Sequence, residues 1–160
     1  MMARLTHFDK SGRAKMVDVT KKTVSVREAV VRGSISMNPV TFKKIMSGEI
    51  SKGDVFAVAK VAGIMAAKKT SDIIPMCHPI NLSHVEINFY PVERASRIDI
   101  EACVRIKAQT GVEMEGLVAV AAAGLTMYDM CKAIDRGMVL SDIHLVTKKG
   151  GRSGTYRAKS

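Results

Sequence analysis

Tryptophan is missing from this sequence, and phenylalanine and tyrosine together supply only 4% of its 160 residues. Rings this scarce argue against reading single-stranded nucleic acid by base stacking, and no recognised DNA- or RNA-binding motif takes their place. The core must instead be filled by Ala, Val, Ile and Met. Small side chains bury little area each, at roughly 25 cal/mol per Å² of apolar surface, so the chain gains from covering further surface against copies of itself. A homo-oligomer is expected.

Cysteine is also scarce. Cys77, Cys103 and Cys131 are odd in number, widely spaced and free of any C-x-x-C pair, which argues against a disulfide framework or a zinc knuckle. No uncharged apolar run approaches the roughly 18 residues of a membrane span, and Met1-Met2-Ala3-Arg4-Leu5-Thr6-His7 lacks the apolar core of a signal peptide. No membrane association and a cytoplasmic location are the expectations.

What the sequence has in excess is base: 25 Lys and Arg against 15 Asp and Glu, a net charge of +10. Such a field attracts polyanions, whether phosphorylated small molecules, nucleic acid or a membrane surface, and charge alone does not choose among them. A basic nucleic-acid-binding protein therefore stands as the alternative class. The length suits one domain, spanning 1–160 with flexible ends at about 1–14 and about 149–160.

Alternation of apolar and polar residues predicts strands over 24–36, 84–90, 97–108 and 139–147, with a possible short edge strand at Met16-Val17-Asp18-Val19. In the third, Ile98, Ile100, Ala102, Val104 and Ile106 face one way and charged residues the other, the pattern of an antiparallel sheet with one wet face. Asn38-Pro39 opens a helix through Met46, and Gly48 stops it. Asp54 caps a helix over 55–70 with Val58, Ala62, Met65 and Ala66 as its apolar stripe. A long Ala-rich helix covers 113–134, with Leu117, Ala121, Leu125 and Tyr128 along one face and Gly137 ending it. The order favours an α+β sandwich, an antiparallel sheet with helices on one face.

Several segments could carry chemistry. In Ile74-Pro75-Met76-Cys77-His78-Pro79 two prolines stiffen a backbone that bears a thiol and an imidazole, so little entropy is lost when a ligand binds; a tight turn with a buried Cys is the plain alternative. Glu113 and Glu115 open the long helix, where carboxylates complement the helix dipole in any case. Asp129 and Lys132 stand three apart among Met127, Tyr128, Met130 and Cys131. Partial desolvation there would raise the carboxyl pKa and lower the ammonium's unless the two pair. Lys52 precedes a helix N-terminus, a place suited to phosphate. Glu115 and Asp129 share a helix face yet lie roughly 21 Å apart at 1.5 Å per residue. One small substrate can hardly touch both within one chain, so either the helix starts after Glu115 or each site is shared between two subunits; the Ala-rich faces favour sites at a dimer interface. The segment Gly150-Gly151-Arg152-Ser153-Gly154 lacks the Gly-Lys-Ser/Thr ending of a P-loop, so that reading is rejected.

Taken together, Val26-Arg27-Glu28-Ala29, Lys52-Gly53-Asp54-Val55, Ile74-Pro75-Met76-Cys77-His78-Pro79, Gly111-Val112-Glu113-Met114-Glu115 and Tyr128-Asp129-Met130-Cys131-Lys132-Ala133 resemble the cyclic pyranopterin monophosphate synthases of molybdenum cofactor biosynthesis, the MoaC family. The resemblance runs from Met16 to Gly154. Met76 stands where Leu is common and Gly116 where Ala is common, and neither change removes a polar group. The resemblance implies a ferredoxin-like fold and a homohexamer built as a trimer of dimers. It also implies a lyase that converts a cyclised dihydro-GTP into cyclic pyranopterin monophosphate with loss of pyrophosphate. Asp129 and Lys132 become the acid/base pair and Lys52 a second catalytic or phosphate-binding cation. Met76, Cys77, His78, Glu113, Met114 and Glu115 become substrate-binding residues, with Arg27, Lys68 and Lys148 as phosphate contacts. No resident cofactor or metal is expected; the resemblance leaves room for Mg2+ carried with the triphosphate.

Overall fold

The computed structural model describes residues 11–159, so most of the expected flexible N-terminus, residues 1–10, lies outside the described residues. Strand β1 (Ser25–Ser36) leads through α1 (Pro39–Met46), α2 (Val55–Ala67) and the single turn α3 (Thr70–Ile73) to β2 (His84–Val92) and β3 (Arg97–Ala108). Then come α4 (Glu113–Cys131), β4 (Val139–Lys149) and the short β5 (Tyr156–Arg157). All strand pairs are antiparallel, in the order β2-β3-β1-β4-β5. The first four follow the β-α-β-β-α-β order of split βαβ units, and the α+β class is as expected.

The helices cover one face of the sheet. Ile98, Ile100, Ala102, Val104 and Ile106 of β3 are buried beneath them, while Arg105 and Glu101 on the opposite face pair across strands with Glu28 and Arg32. Asp54 caps α2 by accepting from the Ala57 N–H at 3.0 Å. Phe56 of α2 meets Phe89 of β2 with ring centroids 5.2 Å apart.

Which faces of α2 and α4 turn inward differs from expectation. The buried positions are Val55, Ala59, Gly63 and Ala67 on α2, and on α4 they include Gly116, Ala119, Ala123 and Met127. The expected stripes point outward in part: Val58, Met65 and Leu125 are 44%, 55% and 59% exposed. The reason is steric. A Cβ on Gly116 would stand 2.7 Å from Val31, one on Gly124 2.8 Å from Leu140, and one on Gly63 2.8 Å from the Ala119 carbonyl. Small residues let α4 approach both the sheet and α2, so size rather than polarity decides the inner face. Gly63→Ala tests this. Replacing Gly within a helix gains up to about 1 kcal/mol in propensity, but overpacking against a backbone carbonyl costs about 1–3 kcal/mol. The expected net result is destabilisation in a denaturant titration; a stabilised variant would contradict the close approach.

Other boundaries also moved. Met16–Val19 forms no strand, because the Val17 carbonyl is taken by His78 and Asp18 folds back onto the Thr20 N–H and hydroxyl. Beyond Lys149, where a flexible end was expected, the chain turns and Tyr156–Arg157 pairs back on β4. Contrary to the membrane reading of the sequence, α4 is by length and composition apolar enough to cross a membrane, yet half of it is buried inside the fold.

Candidate active site

Helix α4 carries candidate site residues at both ends. At its C-terminal end Asp129 is gripped by two ammoniums: Lys132 Nζ lies 2.7 Å from Oδ1 and Lys52 Nζ 3.0 Å from Oδ2. Lys52 also donates to the Asp129 carbonyl at 2.8 Å. The helical spacing supplies the first contact, and the loop ahead of α2 supplies the second, because α2 runs antiparallel to α4. All three side chains are about half exposed, so the expected desolvation is absent and pairing sets the titration. Lys132 and then Lys52 hold the Asp129 carboxyl below its ordinary range, and Asp129 raises the Lys132 ammonium above its own.

At the N-terminal end Glu115 is 4% exposed, and burial, with a smaller push from Glu113, raises its pKa from 4.5 to about 6. Burial also raises the Cys77 thiol, and the Glu115 charge adds to it; the thiol stays protonated at neutral pH. His78 Nε2 lies 2.8 Å from the Val17 carbonyl. A carbonyl only accepts, so Nε2 carries the proton. Lys148 lies 4.0 Å from Glu113. Glu113 and Lys148 border a cleft of about 600 Å³ whose wall also includes Arg27, Lys149, Arg152 and, unanticipated from the sequence, Lys22.

The expected residues therefore fall into two groups. Lys52, Asp129 and Lys132 meet at one end of α4. Cys77 and Glu115, with Glu113, Lys148 and Arg27, gather at the other, where Met114 is 36% exposed and Met76 half-buried. Lys68 caps the C-terminus of α2, which the antiparallel packing also places at the Glu115 end. Glu115 and Asp129 anchor the two groups on one helix, fourteen residues apart, so roughly 21 Å separates them. Sequence reasoning missed Asp135, which is 4% exposed and accepts from the Asn38 N–H at 2.8 Å, the Gly137 N–H at 2.9 Å and the Thr41 hydroxyl at 3.3 Å. It ties the loop after Lys132 to the start of α1. The only sequence signal was an Asp two residues before a Gly at a helix end.

Glu115 has a testable stability signature. Its folded pKa lies above its unfolded value, so the folded state holds the extra proton, and stability falls as pH rises from about 4.5 through 6. Glu115→Gln, which mimics the protonated form, should be more stable than wild type by about 2 kcal/mol at pH 8. Below pH 4 the two should unfold at similar denaturant concentrations. Equal stability at pH 8 would mean that the carboxylate is solvated.

A carboxylate held between lysines, and a cation-lined cleft near a sheltered carboxyl, are the features that binding a phosphorylated small molecule and moving a proton would require. The chain belongs to the MoaC family, whose model matches residues 16–151. It is 59% identical over 152 residues to a cyclic pyranopterin monophosphate synthase of Thermoanaerobacter pseudethanolicus, covering 95% of this chain and 96% of that one. Proteins of the same name from Heliobacterium modesticaldum and Chloroflexus aggregans are 56% and 54% identical, covering 97% and 96% of this chain and 98% and 93% of theirs. The nucleic-acid-binding alternative finds no support in these names.

Proposed function

We propose that this chain is a cyclic pyranopterin monophosphate synthase, a phosphorus–oxygen lyase acting on a cyclised dihydro-GTP in molybdenum cofactor biosynthesis. The observation that carries the reading is the Lys52–Asp129–Lys132 cluster, set in a chain whose relatives bear that name. Closing the cyclic phosphate forms one P–O bond at the α-phosphorus while the bond to pyrophosphate breaks. The attacking hydroxyl needs a base, and the departing pyrophosphate needs cations. At rest Asp129 is a weak base because both ammoniums face it. A polyphosphate that draws Lys52 and Lys132 to itself returns Asp129 toward ordinary basicity, so binding releases the base when it is required.

The two ends of α4 serve one substrate when subunits pair, with Met76–His78, Met114 and Glu115 from one chain holding the ring system and Asp129 from its partner at the reacting phosphate. Exposed Val58, Val61, Met65 and Leu125 supply apolar surface for such packing. The assembly in this reading is a trimer of dimers in the cytoplasm. Mg2+, where it takes part, arrives on the triphosphate. The test is incubation of purified protein with the cyclised dihydro-GTP: stoichiometric pyrophosphate and the cyclic monophosphate are expected. Folded protein that releases no more pyrophosphate than a protein-free control would overturn the assignment.

A further inference from the structure

Arg27 was expected to touch phosphate, yet its side chain is already engaged. It sits on β1 opposite Ile106 of β3, one residue outside the last β1–β4 pair, Glu28 with Lys149. The residue is only 9% exposed. Its Nε donates to the Ala108 carbonyl and its Nη2 to the Gln109 carbonyl, each at 3.3 Å. On the other side the chain leaving β4 crosses over the guanidinium. Gly150 and Gly151 have φ of +92° and +77°, and a Cβ on Gly151 would land on the guanidinium itself. Lys148 closes the same turn by donating to the Ser153 hydroxyl. Two cleft walls thus meet at one side chain: the segment 108–111 that enters α4 ahead of Glu113 and Glu115, and the turn 148–153 that carries Lys148 and Arg152.

We propose that Arg27 is a positioning residue, a pin through which the Gly150–Gly151 turn and the Ala108–Gln109 segment are fastened together so that the cation-lined cleft stands open before its ligand arrives. A guanidinium suits this task because its planar fork reaches two carbonyls at once; an ammonium carries the charge but not that geometry. Glycine at 151 is required twice, for the left-handed backbone and for the space. Burying the cation is tolerated because carbonyls replace its water. The activity readout below rests on the synthase reading; the exchange readout does not.

The experiment compares Arg27→Lys, Gly151→Ala, their double variant and Gly154→Ala by amide hydrogen exchange and by turnover of the cyclised dihydro-GTP. Gly154 has φ of +63° with nothing near its Cβ position, so it shares the backbone cost without the contact. Exchange should quicken in both 108–111 and 148–153 for Arg27→Lys and for Gly151→Ala, and in neither wall for Gly154→Ala. KM should rise about tenfold with kcat within about threefold, the pattern of a lost preformed cleft. The double variant should be no worse than the poorer single. A wild-type KM in Arg27→Lys, faster exchange confined to one wall, or effects that add in the double variant would each overturn the pin. Should wild type show no turnover, the synthase reading fails, while coupled exchange in the two walls still upholds the pin.

Discussion

Replacing Lys52 or Lys132 by Ala should lower turnover at least about 100-fold, the lower end of what a positioned acid, base or charge stabiliser contributes. The fold should hardly notice. Both ammoniums are about half exposed and pair with an equally exposed carboxylate, and such surface ion pairs are worth about 0–1 kcal/mol. A large kinetic effect with an unchanged unfolding midpoint therefore separates chemistry from stability. The pH profile adds a second check. Asp129 titrates low because Lys132 and Lys52 favour its charged form, so removing either ammonium raises its pKa, and the acidic limb of kcat/KM should move to higher pH. The larger move belongs to Lys132→Ala, whose ammonium is the stronger influence. Near-wild-type turnover from either folded variant would remove the cluster from the mechanism.

Strand β3 was legible to the residue because its alternation of Ile and Val with Arg, Asp and Glu leaves one assignment of faces, and the observed Arg97–Ala108 is the expected span. Helices α2 and α4 were legible in extent but not in orientation. Their apolar residues run nearly all the way round, and the contrast that fixes the inner face lies between Gly or Ala and Leu or Met, which a polarity pattern does not register. Strand β5 escaped because two residues, Tyr156–Arg157, carry no periodicity. At the site, the Asp129–Lys132 pair followed from helical spacing alone. The approach of Lys52 did not, since it depends on α2 lying antiparallel to α4. Arg27 and Asp135 show the same limit: the sequence names the donor or the carboxylate, and only the fold supplies the carbonyls and N–H groups that occupy it.

Mixing two inactive variants should restore activity. Glu115→Ala disables the N-terminal end of α4 and Asp129→Ala the C-terminal end, and each alone should be nearly inactive. If every site takes its Glu115 group from one subunit and its Asp129 group from the other, a mixed dimer holds one site with both lesions and one with neither. Random exchange at equal concentrations makes half the dimers mixed, so about a quarter of the sites are intact, as the two-fold symmetry of an isologous pair requires. Because the two groups sit roughly 21 Å apart on one helix, no rearrangement within a single subunit produces this recovery. Subunit exchange is verified independently by native mass spectrometry of the mixture. Mixed dimers that form and yet recover nothing would place the whole reaction at one end of α4, with the other end left to hold the fold.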